Sequence, residues 1–487
     1  MIHVVRQIQR RLPPSRRGVV VPRLLLASAM LLAIGGGLAA SGLLHAQDAQ
    51  ASPAETAPGS DAAAFDAVRE ARQVLDAFLA GDTASVHARF NATMAAAVSA
   101  EQLAQGLTGM KAGVGELQAR GEATSDVRED GALVTIPLRF ERAEVVAIVA
   151  FDKEQRIAGF ALRPPKPVTA EVPPVPADAL FEEVDLRIGD EATGLPATLA
   201  MPKGKGPFPA IVLVHGSGPQ DRHSTIGPNR PFLDIARGLA ERGIAVLRYE
   251  KRTKAHPDAF MSDPTVDRET TDDAMLALQA LRTRPGVQPR QVFVLGHSLG
   301  GMMAPRIAQR DPKVAGIVLL AAPSRPLLDI LIEQNKRLAI LNDGKISDEE
   351  SAALMRLGDS VKAVRDGREM TAAQSPMGMA PAYWRTIEAV DPVLDATKIK
   401  QPMLILQGAR DIQVVDADWQ NWRNAFHDDP RVTFKLYDAL NHLAIPGEGE
   451  GGIEEYTRPG HVSPELITDI AAWIDTRAAA TRAKAVR

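Results

Sequence analysis

The stretch Gly296-His297-Ser298-Leu299-Gly300 follows the apolar run Val292-Phe293-Val294-Leu295 and precedes a segment that is compatible with a helix. A Gly-x-Ser-x-Gly pattern between a buried strand and a helix is typical of the sharp turn known as a nucleophile elbow. Only small residues fit around the serine of such a turn, which accounts for the two glycines. The stretch predicts that Ser298 lies at the tip, above the N-terminus of the following helix.

Apolar runs and helical segments alternate on both sides of this turn. Strands are predicted at 210–214, 244–249, 292–295, 314–321, 403–406 and 432–437. Helices are predicted at 231–241, 269–282 and 299–309, around Trp419 and Trp422, and from Pro464 with Ser463 as its N-cap. Near-continuous apolar strands separated by helices are typical of a parallel sheet covered on both faces. The fold class is therefore predicted to be α/β.

This alternation is interrupted by the insertion 324–401. Leu354, Leu357, Val361 and Val364 recur there at helical spacing. A long insertion between two sheet strands usually has its own structure and often a function. We therefore predict a helical cap over the site.

The pattern before residue 181 is different. Apolar residues at helical spacing (Phe65 to Leu79) precede a run with period two, Val134 to Phe140, in which Pro137 predicts a sheet edge. We assign 62–163 to a small α+β domain and the proline-rich segment 164–180 to an extended linker. The α/β domain then spans 181–487.

The N-terminus resembles a secretory signal. Six arginines precede an uncharged segment, 24–44, and small residues follow it. We predict a signal peptide over 1–46, a disordered spacer over 47–61, and a periplasmic or secreted protein. An uncleaved anchor in the inner membrane is the alternative, since the uncharged segment is long enough to span a bilayer.

The composition excludes several classes of function. The formal net charge is −4, which gives no electrostatic footprint for nucleic acid. The chain contains no cysteine, so disulfides, a thiol nucleophile, iron–sulfur clusters and cysteine zinc sites are all excluded. No cofactor or metal is predicted.

A serine nucleophile needs a base, and the base needs a carboxylate to orient it. Asp411 is the first acid after the strand 403–406, and His442 follows the strand 432–437. Because catalytic groups gather at the carboxyl ends of parallel strands, these two residues are the predicted partners of Ser298. The rivals are residues expected at helix starts or at the wrong end of the sheet: Asp416, Asp418, His427 and His461.

An oxyanion needs two backbone N–H donors. The first is predicted to be the amide of Leu299, which directly follows the serine. The second is predicted to be the amide of Ser217 in His215-Gly216-Ser217-Gly218-Pro219, with Gly216 making the turn. His215 and His297 are expected to be structural. Asp221-Arg222 and the run 249–252 are expected either to order these loops by charge pairs or to be solvated.

These motifs together resemble the α/β-hydrolase superfamily. Within it, residues 215–222, 226–229 and 249–253 resemble the EstD-type bacterial serine esterases, which are similar to serine aminopeptidase S33-like hydrolases. The resemblance implies Ser298, Asp411 and His442 as a catalytic triad, and a small-molecule ester as substrate. Residues 62–163 resemble the DUF3887 domain, and their order of elements suggests a cystatin-like or nuclear-transport-factor-like fold.

Two other functions remain open on the sequence. A serine aminopeptidase or amidase could use the same triad, and an aminopeptidase would need a carboxylate near the pocket to bind the substrate ammonium group. Glu333, Glu349 and Glu350 of the cap are candidates. The other function is that of a non-catalytic binding protein on the same fold, although a complete Ser, Asp and His set disfavours it.

Overall fold

The computed structural model of the chain describes residues 65–128, 130–163 and 172–486. The predicted signal peptide (1–46), the spacer (47–61) and part of the predicted linker (164–171) lie outside these residues. The described residues divide into two compact units, 65–163 and 172–486. The domain boundaries assigned from the sequence stay predictions.

The first unit packs helices against an antiparallel sheet. Within the described residues the sheet order is β1-β3-β4-β5, and β2 pairs with β3 beyond the end of β1. Alternate residues of β3, among them Val134 and Ile136, are buried against Leu75 and Phe78 of α1. The elements are α1 (Ala67–Leu79), α2 (Thr83–Ala88), α3 (Ala92–Ala97), α4 (Ala100–Val114), β1 (Leu117–Arg120), β2 (Thr124–Arg128), β3 (Gly131–Phe140), β4 (Glu144–Asp152) and β5 (Ile157–Arg163).

The prediction that Pro137 marks a sheet edge is wrong, because β3 has neighbours on both sides. The amide of Gly121 donates to the Pro137 carbonyl at 2.8 Å, so this side of Pro137 faces the break between β1 and β2. A missing N–H is tolerated there because neither short strand pairs with Pro137. The proline therefore marks a gap between two partner strands.

The second unit is built on a sheet of eight strands within the described residues. Their order is β13-β12-β11-β10-β8-β9-β7-β6. Strands β8 to β13 run parallel, whereas β7 is antiparallel to β9 and β6 is antiparallel to β7. The strands are β6 (Phe181–Ile188), β7 (Leu195–Pro202), β8 (Phe208–Val214), β9 (Ala245–Tyr249), β10 (Val287–His297), β11 (Ile317–Leu320), β12 (Met403–Gly408) and β13 (Val432–Tyr437).

Helices cover both faces of this sheet. Val294 of β10 is buried among α8, α9 and α14, whereas Phe293 and Leu295 are buried among α5 and α15. Alternate side chains of one strand thus belong to two separate apolar cores, as a sheet buried on both faces requires. The helices of this unit are α5 (Pro231–Ala240), α6 (Arg252–Ala255), α7 (Pro257–Met261), α8 (Asp272–Arg282), α9 (Leu299–Arg310), α10 (Leu327–Asp343), α11 (Asp348–Arg365), α12 (Pro381–Glu388), α13 (Pro392–Thr397), α14 (Asp416–Phe426) and α15 (Pro464–Val486).

The insertion between β11 and β12 is helical and contains α10 to α13. Its apolar core includes Trp384 and Val361, and it continues onto Leu299 and Met302 of α9. The insertion therefore packs directly on the helix that follows Ser298. Among the described residues, no helix is both long enough and apolar enough to cross a membrane.

The helix predicted over 269–282 begins later than expected. Residues Asp267–Thr271 form a π-helical turn, and α8 starts at Asp272. A π-helical turn inserted at a helix start is uncommon and is frequently found at functional sites.

Candidate active site

Ser298 lies at the junction of β10 and α9 in a strained backbone conformation. Its φ is 54° and its ψ is −121°, which is rare for a residue with a side chain. A Cβ at position 296 would lie 2.0 Å from the Gly300 carbonyl oxygen, and one at position 300 would lie 2.2 Å from the Val214 carbonyl oxygen. Both glycines are therefore needed for the turn that presents Ser298.

Asp411 is buried and tightly held in the loop that follows β12. Its Oδ1 accepts hydrogen bonds from the amides of Gln413 (2.8 Å) and Val414 (3.0 Å). Its Oδ2 accepts one from Nε2 of Gln407 at 3.2 Å and faces Nδ1 of His442 at 2.8 Å. The carboxylate orientation is thus fixed by groups of its own loop and strand.

His442 follows β13 and is also buried. Because the Asp411 carboxylate only accepts, His442 Nδ1 carries the proton, and in the neutral ring Nε2 is left as the acceptor. The His442 carbonyl accepts a hydrogen bond from Nε2 of His297 at 2.8 Å. The preceding side chain, Asn441, accepts from the amides of Leu443 and Ile445 and so holds the turn.

The rival acids and bases lie elsewhere. His461 is exposed beside Asp234 at 3.2 Å, and His427 is exposed beside Asp428 at 2.8 Å. Asp416 begins α14, as expected. Asp418 also lies in the first turn of α14, but it is fully buried and accepts from the Ser324 amide at 2.9 Å.

Asp418 thus does more than complement a helix dipole. Its second oxygen binds the Arg325 guanidinium at 2.6 Å, near the point where the chain leaves β11 for the insertion. The carboxylate therefore anchors the start of the cap to α14. The sequence carries no signal of this role, because the partners are more than ninety positions apart.

The loop predicted to supply an oxyanion donor lies against the serine. A Cβ at Gly216 would be 3.1 Å from the Ser298 Cβ, so the backbone of this loop closely approaches the nucleophile position. Leu299 is the first residue of α9, and amides of a first helical turn have no partner within the helix. The amides of Ser217 and Leu299 thus belong to segments that flank Ser298.

His215 and His297 are fully buried neutral side chains. Burial lowers the pKa of each to about 3. Nε2 of His215 donates to the Asp221 carbonyl at 3.0 Å, and Nε2 of His297 donates to His442. Since a carbonyl only accepts, the partner fixes the tautomer of each ring. Both histidines tie neighbouring loops together.

Charge pairs order the loops beyond these histidines. Arg222 binds Asp185 at 2.9 Å and Glu250 at 3.4 Å. Oδ1 of Asp221 accepts from the amides of His223 (3.0 Å) and Thr225 (2.9 Å). The sequence left two expectations for this region, loops ordered by charge pairs and solvated charges. The observed pairs agree with the first.

The cap carboxylates proposed for an aminopeptidase have other partners. Glu333 pairs with Arg325 at 2.8 Å, and Glu350 accepts from the amide of Ser347 in a capping box at the start of α11. Glu349 is exposed. Within the described residues, no cluster of three or more His, Asp or Glu side chains is arranged to hold a metal ion.

Comparison with known proteins identifies the family. Residues 207–449 match the family described as "Serine aminopeptidase, S33", and residues 71–160 match "Protein of unknown function (DUF3887)". The chain is 35% identical over 382 residues to Esterase EstD of Thermotoga maritima, covering 78% of this chain and 88% of that protein. The chain belongs to the EstD-type esterases of the α/β-hydrolase superfamily.

Solved structures similar to this EstD-type chain include two esterases. Est1E from Butyrivibrio proteoclasticus is 15% identical, with a TM-score of 0.39, and the match covers 61% of this chain and 99% of that one. The Pyrococcus furiosus esterase PF2001 is 17% identical, with a TM-score of 0.37, and the match covers 57% and 89%. The α/β-hydrolase fold and the family predicted from the sequence are confirmed by the observed sheet and by the family matches.

Arg410 lies beside the candidate site, next to Asp411, and the sequence did not indicate its role. Its guanidinium is buried, binds Glu455, and donates to the carbonyls of Gly449 and Glu448 at 2.8 Å each. It thereby ties the loop of Asp411 to the segment after His442. Its partners lie about forty positions away, so no local pattern indicates the contact.

Proposed function

We propose that this EstD-type protein is a serine esterase that cleaves carboxylic esters with Ser298, Asp411 and His442. The observation that carries the proposal is the 2.8 Å contact between His442 Nδ1 and Asp411 Oδ2, residues 31 positions apart. They follow two neighbouring parallel strands of the sheet whose β10 leads into the strained turn at Ser298. This arrangement supports the Ser–His–Asp chemistry of acyl transfer.

In the proposed reaction, Ser298 Oγ attacks the ester carbonyl carbon while His442 Nε2 takes the hydroxyl proton. The amides of Leu299 and Ser217 bind the oxyanion of the tetrahedral intermediate. His442 then gives the proton to the leaving alcohol, and the acyl group stays on Ser298. Water, deprotonated by His442, attacks the acyl-enzyme and releases the carboxylate. Asp411 keeps the proton on Nδ1 and stabilises the imidazolium.

The proposal is tested by hydrolysis of p-nitrophenyl acetate, butyrate and octanoate. We expect Ser298→Ala to lower kcat by about 10⁴-fold or more, because removal of the nucleophile leaves only binding and oxyanion stabilisation. The matched control is Ser262→Ala, a serine whose hydroxyl bonds an exposed local carbonyl. Equal turnover by Ser298→Ala and Ser262→Ala would overturn the proposed function.

Aminoacyl p-nitroanilides, tested beside these esters, separate an esterase from an aminopeptidase. We expect aminoacyl p-nitroanilides to be cleaved far more slowly than the esters. The cap carboxylates Glu333 and Glu350 are already engaged by Arg325 and Ser347, which supports this expectation. Faster cleavage of the anilides than of the esters would indicate a peptidase that uses the same triad.

We also propose that residues 1–46 direct export to the periplasm or beyond. The support is the arginine-rich start and the uncharged segment 24–44. Expression in a Gram-negative host, followed by fractionation and mass spectrometry of the N-terminus, tests it. A periplasmic protein that begins near residue 47 is expected, and an intact N-terminus in the inner-membrane fraction would favour the anchor instead.

A further inference from the structure

Lys251 is a buried lysine beside the proposed oxyanion loop. Its side chain is 2% exposed, and its ammonium donates to the Gly216 carbonyl at 2.6 Å and to Glu269 Oε1 at 2.5 Å. Lysine is almost never fully buried unless its charge is paired. Here one partner is a carboxylate and the other is the backbone carbonyl of Gly216, a residue at which a Cβ would lie 3.1 Å from the Ser298 Cβ.

The contact with Gly216 sets the orientation of one peptide group. In a trans peptide the carbonyl of one residue and the N–H of the next point in opposite directions. Because Lys251 holds the Gly216 carbonyl, the N–H of Ser217 points away from Lys251. A cation bonded to that carbonyl also polarises the peptide group and strengthens its N–H as a donor.

The neighbouring carbonyls of the loop are held as well. The Ser217 carbonyl accepts from Gln220 Nε2 at 3.1 Å, and the Gly218 carbonyl accepts from Thr253 Oγ1 at 3.1 Å. The Lys251 amide itself donates to the Gln220 carbonyl at 3.0 Å. The segment 251–253 therefore holds the carbonyls of Gly216, Gly218 and Gln220. The peptide group that Lys251 holds through its side chain is the one that carries the Ser217 N–H.

Glu269 and Tyr383 complete a buried chain that reaches the cap. Glu269 lies in the π-helical turn Asp267–Thr271, and its second oxygen accepts from the Tyr383 hydroxyl. Tyr383 lies on α12 of the cap and is 1% exposed. Burial, together with Glu269, raises the pKa of Tyr383 well above its ordinary value, so its hydroxyl stays a donor.

We propose that Lys251 is a positioning residue for the oxyanion hole, held in place by Glu269 and by Tyr383 of the cap. Through this chain the seating of the cap on the α/β unit determines how well the Ser217 N–H is aligned. The inference rests on the proposed function, since it assigns a task to a donor of that reaction. A purely structural ion pair would instead affect folding and leave the chemistry of folded molecules unchanged.

A transition-state analogue separates these two roles. Ser298 adds to the carbonyl of an alkyl trifluoromethyl ketone, and the resulting oxyanion occupies the same donors as the tetrahedral intermediate. A misaligned donor therefore lowers kcat and raises the inhibition constant of the ketone by a similar factor, while KM changes little. Loss of folded protein lowers only the number of active sites, which the burst of p-nitrophenol measures.

The first variant is Lys251→Met, which keeps the length of the side chain without its ammonium. We expect kcat per active site to fall about 100-fold, with a matching rise in the inhibition constant, as for loss of one oxyanion donor. The control is Arg282→Met, which breaks the buried pair with Asp311 at the far end of α8. In this control, kcat per active site and the inhibition constant of the ketone should both stay within about threefold of the parent protein. Equal effects of Lys251→Met and Arg282→Met would overturn the inference.

Tyr383→Phe removes only the hydroxyl. If Lys251→Met does not fold, this variant shows whether the buried chain aligns the oxyanion donor or only stabilises the fold. We expect kcat per active site to fall about fivefold, the value of one hydrogen bond, with the ketone affinity falling in parallel. The double variant should resemble Lys251→Met alone, because Tyr383 acts through Lys251. If Tyr383→Phe keeps the kcat and the ketone affinity of the parent protein, the proposed influence of the cap on the Ser217 N–H is wrong. Retained activity in Ser298→Ala, in contrast, would defeat the proposed function itself.

Discussion

The proton on His442 Nδ1 has a single fixed partner, the Asp411 carboxylate, and this determines what the opposite ring nitrogen can do. Asp411 cannot turn away, since two backbone amides hold Oδ1 and Gln407 holds Oδ2. The backbone of His442 is fixed in turn by His297. Nε2 of His442 is therefore an acceptor in a set direction, which is what a general base requires.

Asp411→Asn tests this assignment of the proton. The amide can donate to Nδ1, which would move the ring proton to Nε2 and remove the base. We expect kcat for p-nitrophenyl butyrate to fall by about 10⁴-fold. The control is Asp416→Asn, five positions further on, whose side chain accepts an exposed hydrogen bond from Gln420. A loss of less than about tenfold in Asp411→Asn would contradict the role given to Asp411.

Some residues of the site were predictable because they follow strand ends. Ser298, Asp411 and His442 each follow the end of a strand, directly in the case of Ser298 and after a short loop in the other two, and parallel strands bring those ends to one edge of a sheet. The chain Lys251–Glu269–Tyr383 was not predictable, since Tyr383 and Glu269 lie 114 positions apart in helical segments. Contacts of this kind depend on how the cap is seated, which no local pattern encodes.

At the scale of elements, the turn between β10 and α9 depends on close backbone packing. A side chain at Gly300 would clash with the Val214 and His215 carbonyls, both in backbone that cannot easily move. Gly301 also packs closely against Ala322, just after β11, since a Cβ at position 301 would lie 2.7 Å from the Ala322 Cβ. The elbow is therefore held between the neighbouring strands β8 and β11, and its strain at Ser298 is sustained by that packing.

Gly300→Ala should therefore destabilise the protein strongly. We expect the free energy of unfolding to fall by about 3 kcal/mol or more, because a Cβ 2.2 Å from a carbonyl oxygen forces the backbone apart. The matched control is Gly358→Ala in α11, where nothing lies within 4 Å of the new Cβ. That change should raise the free energy of unfolding by up to about 1 kcal/mol. Urea denaturation measures both, and equal midpoints would contradict the packing argument.

Strands and helices were predictable to different degrees. The buried runs of β8, β10 and β12 read directly as parallel strands, because both faces are apolar. The antiparallel strands β6 and β7 were missed, since β6 alternates with charged residues such as Glu182 and Arg187. The π-helical turn before α8 was also missed, because its local sequence continues a helical pattern.

At the scale of the whole molecule, buried titratable groups link stability to pH. Burial lowers the pKa of His215 and His297 to about 3 and that of His223 to about 4, from 6.5. Between these values and 6.5 the unfolded chain binds more protons, so stability falls as pH falls. Burial raises the pKa of Asp273 from 3.8 to about 6, which acts in the opposite direction.

Three histidines outweigh one aspartate, so we expect net acid destabilisation. Between about pH 6 and pH 4 the free energy of unfolding should fall by about 1–3 kcal/mol per pH unit. Replacing one buried group, as in His223→Gln, should reduce this slope by about 1.4 kcal/mol per pH unit, which is the contribution of one proton. Urea midpoints across this range measure the slope. A slope unchanged by His223→Gln would contradict the neutral state assigned to His223.

The two compact units each contain an apolar core of their own, and this leads to a prediction about their independence. The core of the first unit draws its buried residues from 67–157, and the cores of the second draw theirs from residue 179 onward. The proposed triad and both proposed oxyanion donors lie in the second unit. A protein that begins at Val172 should therefore fold cooperatively and hydrolyse p-nitrophenyl butyrate with a kcat within about threefold of the full chain. Calorimetry and kinetics on both proteins check this, and an unfolded or inactive shorter protein would show that the first unit is required for the site.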